Sequence, residues 1–374
     1  MFIRAILIAG TLSIGAMSIA ACDDGGPLVI PPPPAASVSV DWLQRTGSLV
    51  AGARMSPLAA GRVYAAVSVA QFKAAEAADV GPIATGTPHD ARLGAIAGAS
   101  VQVLSFLFPA AADSLGRTLA GGSPEFMRGV AIGRAAGDQL VTRVKNDGFS
   151  KPWTGTAPTG TGIWTPVTNP PSGILLGSVT PYFLTSGSQF RPTAPAYGSA
   201  AFNTDLNEVL QLAKSRTAEQ IALAKQWDYS AGTTTAVGYW NKAALDYIAR
   251  TDMDELEATR VLAIMHAAVF DAQIACWDAK YHYWMARPYQ ANNEIATVLP
   301  PPNHPAFPSG HSCVSASAAR VLQEFFPDKT SELNKLVTDA GMSRIYAGIH
   351  YRFDINAGQQ IGKSVAELAI AKGL

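Results

Sequence analysis

The chain has 374 residues, 48% of them apolar and only 15% charged, with 28 basic and 28 acidic side chains. This length holds one large domain or two, and the apolar content builds a substantial core under a lightly charged surface. Zero net charge excludes holding nucleic acid or anionic lipid by bulk electrostatics, so any positive charge that matters is local.

In chain order, Arg4 precedes an apolar run from Ala5 to Ala21. Residues 1–21 read as a secretory signal, short for a stable membrane span. The small residues before Cys22 resemble a bacterial lipobox, which implies cleavage before Cys22 and lipidation of its thiol. An ordinary signal peptide with a neighbouring cysteine, or a short membrane anchor, are the other readings. Residues 22–39 contain Pro27 and Pro31 to Pro34 and are expected to form a stiff tether. Residues 40–374 are then an exported domain on the periplasmic side of the bacterial envelope, touching membrane only through the lipid anchor. No long uninterrupted apolar run is expected after residue 40.

The mature chain reads as all-α. Ser56 to Ala77 opens with a Ser-Pro start, and Ala91 to Phe108 and Pro124 to Lys145 follow. Residues 150–200 are a long irregular region rich in Gly, Pro, Thr and Ser, with Trp153, Trp164, Tyr182, Phe183 and Phe190 interspersed. Aromatics argue against disorder, so this region is expected to pack across a surface. Helices resume at Thr204, Thr217, Thr235, Asp254, Gly310, Thr330 and near Tyr346. Two stretches echo each other: Arg62 to Phe72 parallels Arg260 to Phe270, and Val103 to Pro109 parallels Val321 to Pro327. Same-order matches point to a duplication, with a scaffold half at about 40–200 and an active-site half at about 201–374. Cys276 and Cys313 either pair in an oxidising compartment or serve as small buried hydrophobes.

The chemistry concentrates near the C-terminus. Lys280 is followed by Arg287-Pro288, then Pro308-Ser309-Gly310-His311, then Ser343-Arg344, and finally His350 and Asp354. Lys280 and Arg287 are seven apart, which on one helix points both the same way. Their neighbours Trp277, Tyr281, Tyr283 and Trp284 place them in a cleft rather than on a charged stripe. Ser309-Gly310 begins a helix whose outward N–H groups bind anions, and Gly310 permits close approach. His350 and Asp354, four apart, would stack on a helix, the carboxylate fixing the imidazole tautomer. Three cations, a Ser-Gly turn and two histidines make a cage for a tetrahedral oxyanion.

The spacing Lys-x6-Arg-Pro, Pro-Ser-Gly-His, Ser-Arg-x5-His-x3-Asp resembles the signature of the vanadium-dependent haloperoxidase and type 2 phosphatidic acid phosphatase superfamily, with every defining position filled. Further stretches such as Pro181-Tyr182-Phe183, Gln189 to Pro192 and Trp277 to Tyr281 resemble bacterial soluble haloperoxidase-like proteins. The resemblance implies paired four-helix bundles. It also implies vanadate held covalently by His350 as vanadium ligand, His311 as acid–base, and Lys280, Arg287, Arg344, Ser309 and Gly310 around the oxygens. Substrates would be hydrogen peroxide and a halide. Trp277 matches a halide-pocket tryptophan of the chloroperoxidases. His304, seven before His311, matches a position that is His in algal bromoperoxidases and Phe in the fungal chloroperoxidase. Met285-Ala286 depart from more polar relatives, which leaves halide preference open. The same cage serves a secreted acid phosphatase, in which His350 attacks a small phosphomonoester and no cofactor is needed. His89 and His282 read as surface or loop residues, and His266 as a satisfied core histidine.

Overall fold

The computed structural model of the protein describes residues 36–79 and 88–374. The signal, Cys22 and most of the tether lie outside the described residues. Among those described, secondary structure is helical, with isolated bridges at Ile163–Met285 and Ala231–Thr233 and no strand. The elements are α1 (Val38–Gly52), α2 (Pro57–Asp79), α3 (Pro88–Leu107), α4 (Ala112–Arg117), α5 (Pro124–Asn146), α6 (Ala200–Ser215), α7 (Ala218–Gln226), α8 (Thr235–Ile248), α9 (Glu255–Tyr283), α10 (Pro288–Ala291), α11 (Gly310–Phe325), α12 (Thr330–Tyr346) and α13 (Arg352–Lys372).

Several boundaries differ from the sequence reading. α1 starts at Val38, inside the stretch read as tether, because Glu255 of α9 caps it: its carboxylate accepts from Val38 N at 2.6 Å and Ser39 N at 3.2 Å. α6 opens at Ala200, capped by Ser199, ahead of Thr204. Tyr346 ends a helix rather than beginning one, and the last helix opens at Arg352.

α9 is the central element. It is long and apolar enough to cross a membrane, though His266, Asp271 and Gln273 interrupt its apolar run, and 94% of its most apolar window is buried inside the protein. A helix apolar on all sides is a core helix here, packed by α2, α11 and α13. His266 lies in it, fully buried and stacked on Tyr64 at 5.3 Å. The Leu262 carbonyl one turn back faces the ring without a well-aligned hydrogen bond, so this core histidine is not satisfied as expected.

The two halves repeat a crossing. A Cβ on Gly129 or Gly133 of α5 would lie 2.0 Å from the Ala91 or Ala95 carbonyl of α3. Cβ atoms on Gly358 and Gly362 of α13 would lie 2.7 Å and 2.3 Å from the Ser309 and Cys313 carbonyls at the start of α11. Only glycine allows backbones so close. α3 and α11 also run into matching Phe-Pro turns: Phe108 has φ −130 and ψ 71, and Phe326 has φ −132 and ψ 67. Counted back from those turns, Ala91 and Ser309 occupy the same position.

Residues 147–199 form no long helix yet are pinned throughout. Asp271 of α9 accepts from Tyr182 N, Phe183 N and Leu184 N at 2.7–3.0 Å. The Asn303 side chain accepts from Val167 N and Thr168 N and donates to Thr168 O and Pro170 O. Trp164, Leu176, Val179 and Phe183 are buried.

Candidate active site

The Gly358 crossing sets the site, because it brings the N-termini of α11 and α13 together, and Ser309 N donates to Asp354 O at 3.0 Å. His350 is not on a helix. It precedes the α13 N-cap Tyr351, and Asp354 in the first turn reaches back to it. His350 Nδ1 lies 2.7 Å from Asp354 Oδ2, which also accepts from Tyr351 N at 3.1 Å. Burial pushes Asp354 up to about 7, with Lys280 and Arg287 pulling the other way, and burial with those same cations holds His350 well below its ordinary range. Arg287 Nη1, 3.3 Å from Nε2, can only donate, which assigns the lone pair to Nε2 and the ring proton to Nδ1 facing Oδ2.

Lys280 and Arg287 do not share a helix either. α9 ends at Tyr283, Trp284 turns left-handed at φ 50, and Arg287 stands extended as the N-cap of α10. Both side chains are nonetheless buried in one place. Lys280 Nζ donates to the carbonyls of Pro305 and Ala306, each at 2.9 Å, and of Pro308. Arg287 donates to the carbonyls of Ile349 and His304 at 2.6 and 3.0 Å, and its Nη2 reaches His304 Nδ1 at 3.1 Å. Its Nη1 lies 3.3 Å from His350 Nε2. Arg344, in the last turn of α12, donates to Ala224 O at 2.8 Å and Ser343 Oγ at 2.9 Å. Burial lowers all three cations, Lys280 to about 8 and Arg344 to about 10, so each is still charged at neutral pH.

Ser309 caps α11, its hydroxyl accepting from Ser312 N at 3.4 Å. A Cβ on Gly310 would come within 3.0 Å of the Trp277 ring, so glycine lets the helix start and the indole touch. His311 turns toward the Trp227 carbonyl, while its Nε2 is buried without a partner. Burial and Arg344 hold this histidine well below its ordinary range. His304 lies against Trp277, ring centroids 4.9 Å apart. It bonds Arg287 rather than His311.

A cavity of about 730 Å³ opens onto this arrangement. Trp277, His304, Gly310, His311, Arg344 and His350 line it, whereas Lys280, Arg287, Ser309 and Asp354 stand behind. An oxyanion fits the floor. Three buried cations face one buried carboxylate, with half-buried Asp228 acting on Arg344, and a His311 nitrogen without a partner lies beside them. Buried charge without compensation costs several kcal/mol, which an anion offsets. Cys276 and Cys313 are free thiols side by side beneath the site, not a disulfide.

Residues 258–372 match the model of the PAP2 superfamily. This stretch, less than half of the chain, is similar to that superfamily. Every cation and histidine of the site lies within the PAP2 stretch. A non-specific acid phosphatase of Salmonella typhi is 32% identical over 89 residues, 22% of this chain and 35% of that protein. The match thus spans about a third of the phosphatase. A vanadium-dependent bromoperoxidase of Ascophyllum nodosum is 28% identical over 109 residues, 20% of each chain. The crystal structure of a bacterial vanadium-dependent iodoperoxidase superposes with a TM-score of 0.76 at 24% identity, covering 91% of this chain and 97% of that one. That likeness fixes the all-α fold well beyond the PAP2 stretch.

Three supports outside the motif were not anticipated from sequence: the Ala224 and Trp227 carbonyls behind Arg344 and His311, and the Asn303 side chain beside His304. Carbonyl acceptors leave no residue-type signal. Asn303 precedes His304 directly, but only the fold shows what it holds.

Proposed function

We propose that the protein is a vanadate-dependent haloperoxidase that oxidises halide with hydrogen peroxide. The observation that carries this reading is the tautomer-fixed His350, whose Nε2 looks into a cage of three buried cations. His350 would hold vanadium, with Arg287, Arg344, Ser309 and the Gly310 N–H around its oxygens and Lys280 adding charge from behind. Bound there, vanadate supplies Lewis-acid activation of peroxide toward the halide. Asp354 keeps the Nδ1 proton in place, so His350 presents a lone pair and not an N–H. His311, held neutral, accepts a proton from incoming peroxide at Nε2. Arg287 donates to His304 Nδ1, which leaves the His304 proton on Nε2 as a donor to halide beside Trp277.

A second reading, acid phosphatase, is supported by the local identity to the Salmonella protein. There His350 would attack phosphorus, the ester bond would break, and His311 would have to deliver a proton to the departing alcohol. An anion on the floor would oppose the depression of His311 by burial and Arg344, so this histidine serves either reading. The likeness to a haloperoxidase over 91% of the chain favours the first reading.

One preparation tests both. With orthovanadate, peroxide and bromide or iodide, an indicator dye should be halogenated, and phosphate should compete. No turnover with any halide at any vanadate level sinks the proposal, and steady phosphate release from a monoester in vanadate-free buffer would replace it.

The repeated crossings and turns support a duplication in which residues about 40–200 became scaffold and about 201–374 kept the chemistry. The lipoprotein reading of Cys22 remains a proposal, tested by palmitate labelling that Cys22→Ala should abolish.

A further inference from the structure

The cavity is far larger than an oxyanion, a peroxide and a halide require. Pockets of roughly 300–1,000 Å³ enclose organic ligands of drug size, and this one is about 730 Å³. Its floor is polar, and its walls are mostly apolar, with Gln273, Asp228 and Ser230 as polar exceptions. The apolar walls come from Leu58 at the start of α2, from Pro171 and Leu175 of the irregular region, and from Trp153 and Tyr229. Prolines present no N–H to a ligand. The Ser172 carbonyl on the same wall is already used, accepting from Trp277 Nε1 at 3.0 Å and Tyr281 OH at 2.7 Å. Lys151, the cation of the outer wall, is solvent-exposed.

Two features show that the walls are built rather than incidental. Tyr229 has φ 40, a left-handed conformation that a bulky side chain avoids. It is held there by Trp227 and Tyr239, whose rings lie 5.9 and 5.5 Å away. Strain of this kind persists where the surroundings impose it and gathers at functional sites. Trp227 is also the residue whose carbonyl faces His311, so wall and floor share one short segment. Opposite, Gly173 has φ 70, and a Cβ there would fall 2.3 Å from Leu58 and 2.7 Å from the Trp277 indole. Asn303 then fastens residues 167–170 to the chain just before His304, and Ser172 N donates to Asn303 O at 2.8 Å.

We infer that the cavity above the histidines is a binding site for an uncharged aromatic compound with one polar end, which docks its ring between Trp153 and Tyr229 and turns the polar end to the floor. This compound is the organic acceptor of the reaction, bound beside the oxyanion rather than met in bulk water. The assignment of its role rests on the floor being the haloperoxidase centre. The binding itself does not, and is measured apart.

The probe is 2-naphthol, titrated by calorimetry into the full protein without vanadate, peroxide or halide, with glucose as the polar control. One saturable site for 2-naphthol is expected, with glucose at least tenfold weaker. Leu175→Trp, which fills the wall, and Tyr229→Gly, which removes a ring and relieves the backbone, should each weaken 2-naphthol at least tenfold. Circular dichroism checks that each variant is folded. Should one fail to fold, the other still decides. No saturable binding to the wild type, or equal affinity in a folded variant, overturns the site. Saturable binding without any halide oxidation supports the site and overturns the haloperoxidase reading alone.

Discussion

Lys280 shows how a residue type legible in sequence can act differently in the fold. Its ammonium donates to three backbone carbonyls of the 305–308 segment and does not line the cavity. It therefore shapes the loop that carries His304 and Ser309, and it adds charge from behind. Lys280→Met would leave Ala306 O without a donor, and Pro305 O and Pro308 O with only the weaker ones from Arg287 at 3.3 Å and Cys276 at 3.8 Å, at a cost of about 3 kcal/mol. In thermal unfolding this should lower the midpoint by roughly 4 °C, alongside weaker phosphate binding. A change in binding with no loss of stability would mean that Lys280 meets the ligand directly. Asp354→Asn keeps the shape but removes the negative charge behind His350, and should reduce turnover by about 10–100-fold. Turnover within twofold of wild type would show that the pair's charge is dispensable. The identities of all these residues could be read from sequence, because cations and histidines at fixed spacing have little other use. Their placement could not. Spacing alone put Lys280 with Arg287, and His350 with Asp354, on shared helices. The left-handed Trp284 and the N-cap at Tyr351 break both, and neither break is a Gly or Pro signal.

At the scale of elements, the crossing of α11 and α13 positions the site, and its counterpart between α3 and α5 does the same packing without chemistry. This makes a controlled comparison possible. Gly362→Ala places a Cβ 2.3 Å from the Cys313 carbonyl, and Gly133→Ala places one 2.0 Å from the Ala95 carbonyl. Each forces two helices apart and should cost about 1–3 kcal/mol. Only Gly362→Ala should also weaken phosphate or vanadate affinity, because it shifts Ser309 and Gly310 relative to His350. Equal loss of affinity in both variants would show that the site responds to global stability and not to this crossing. The echoing stretches were visible in sequence as Ala/Val-rich helix segments with shared Phe-Pro ends. The paired glycines were not singled out, since an isolated glycine in a helix carries no mark of what approaches it. Helix α1 was missed for a related reason. Its first turn is capped by Glu255, more than two hundred residues away, and no local residue gives that cue.

For the whole molecule, the buried histidines set how the fold responds to acid. Burial lowers His266 to about 3, and His304, His311 and His350 are also held well below their ordinary range. A histidine depressed in the folded state takes up its proton only on unfolding. Its contribution is therefore fully present above about pH 6.5 and is lost as pH falls from there toward the folded value. The Asp354 carboxyl, raised by burial, works in the opposite sense over part of that window, so the His350–Asp354 pair partly cancels. His266 stands apart from the site against Tyr64 and gives the cleaner reading. From pH 8 to pH 5 it should remove about 2 kcal/mol of stability by itself. Urea unfolding of wild type and His266→Phe across that range measures this as a difference in slope, whatever the variant's stability at pH 8. The variant should lose about 2 kcal/mol less over the same interval. Adding phosphate at a hundredfold over its dissociation constant should raise stability of both proteins by about 2.7 kcal/mol at pH 7, because the anion binds the cationic floor and not His266. Parallel pH slopes for the two proteins would place the acid sensitivity in the active-site histidines alone.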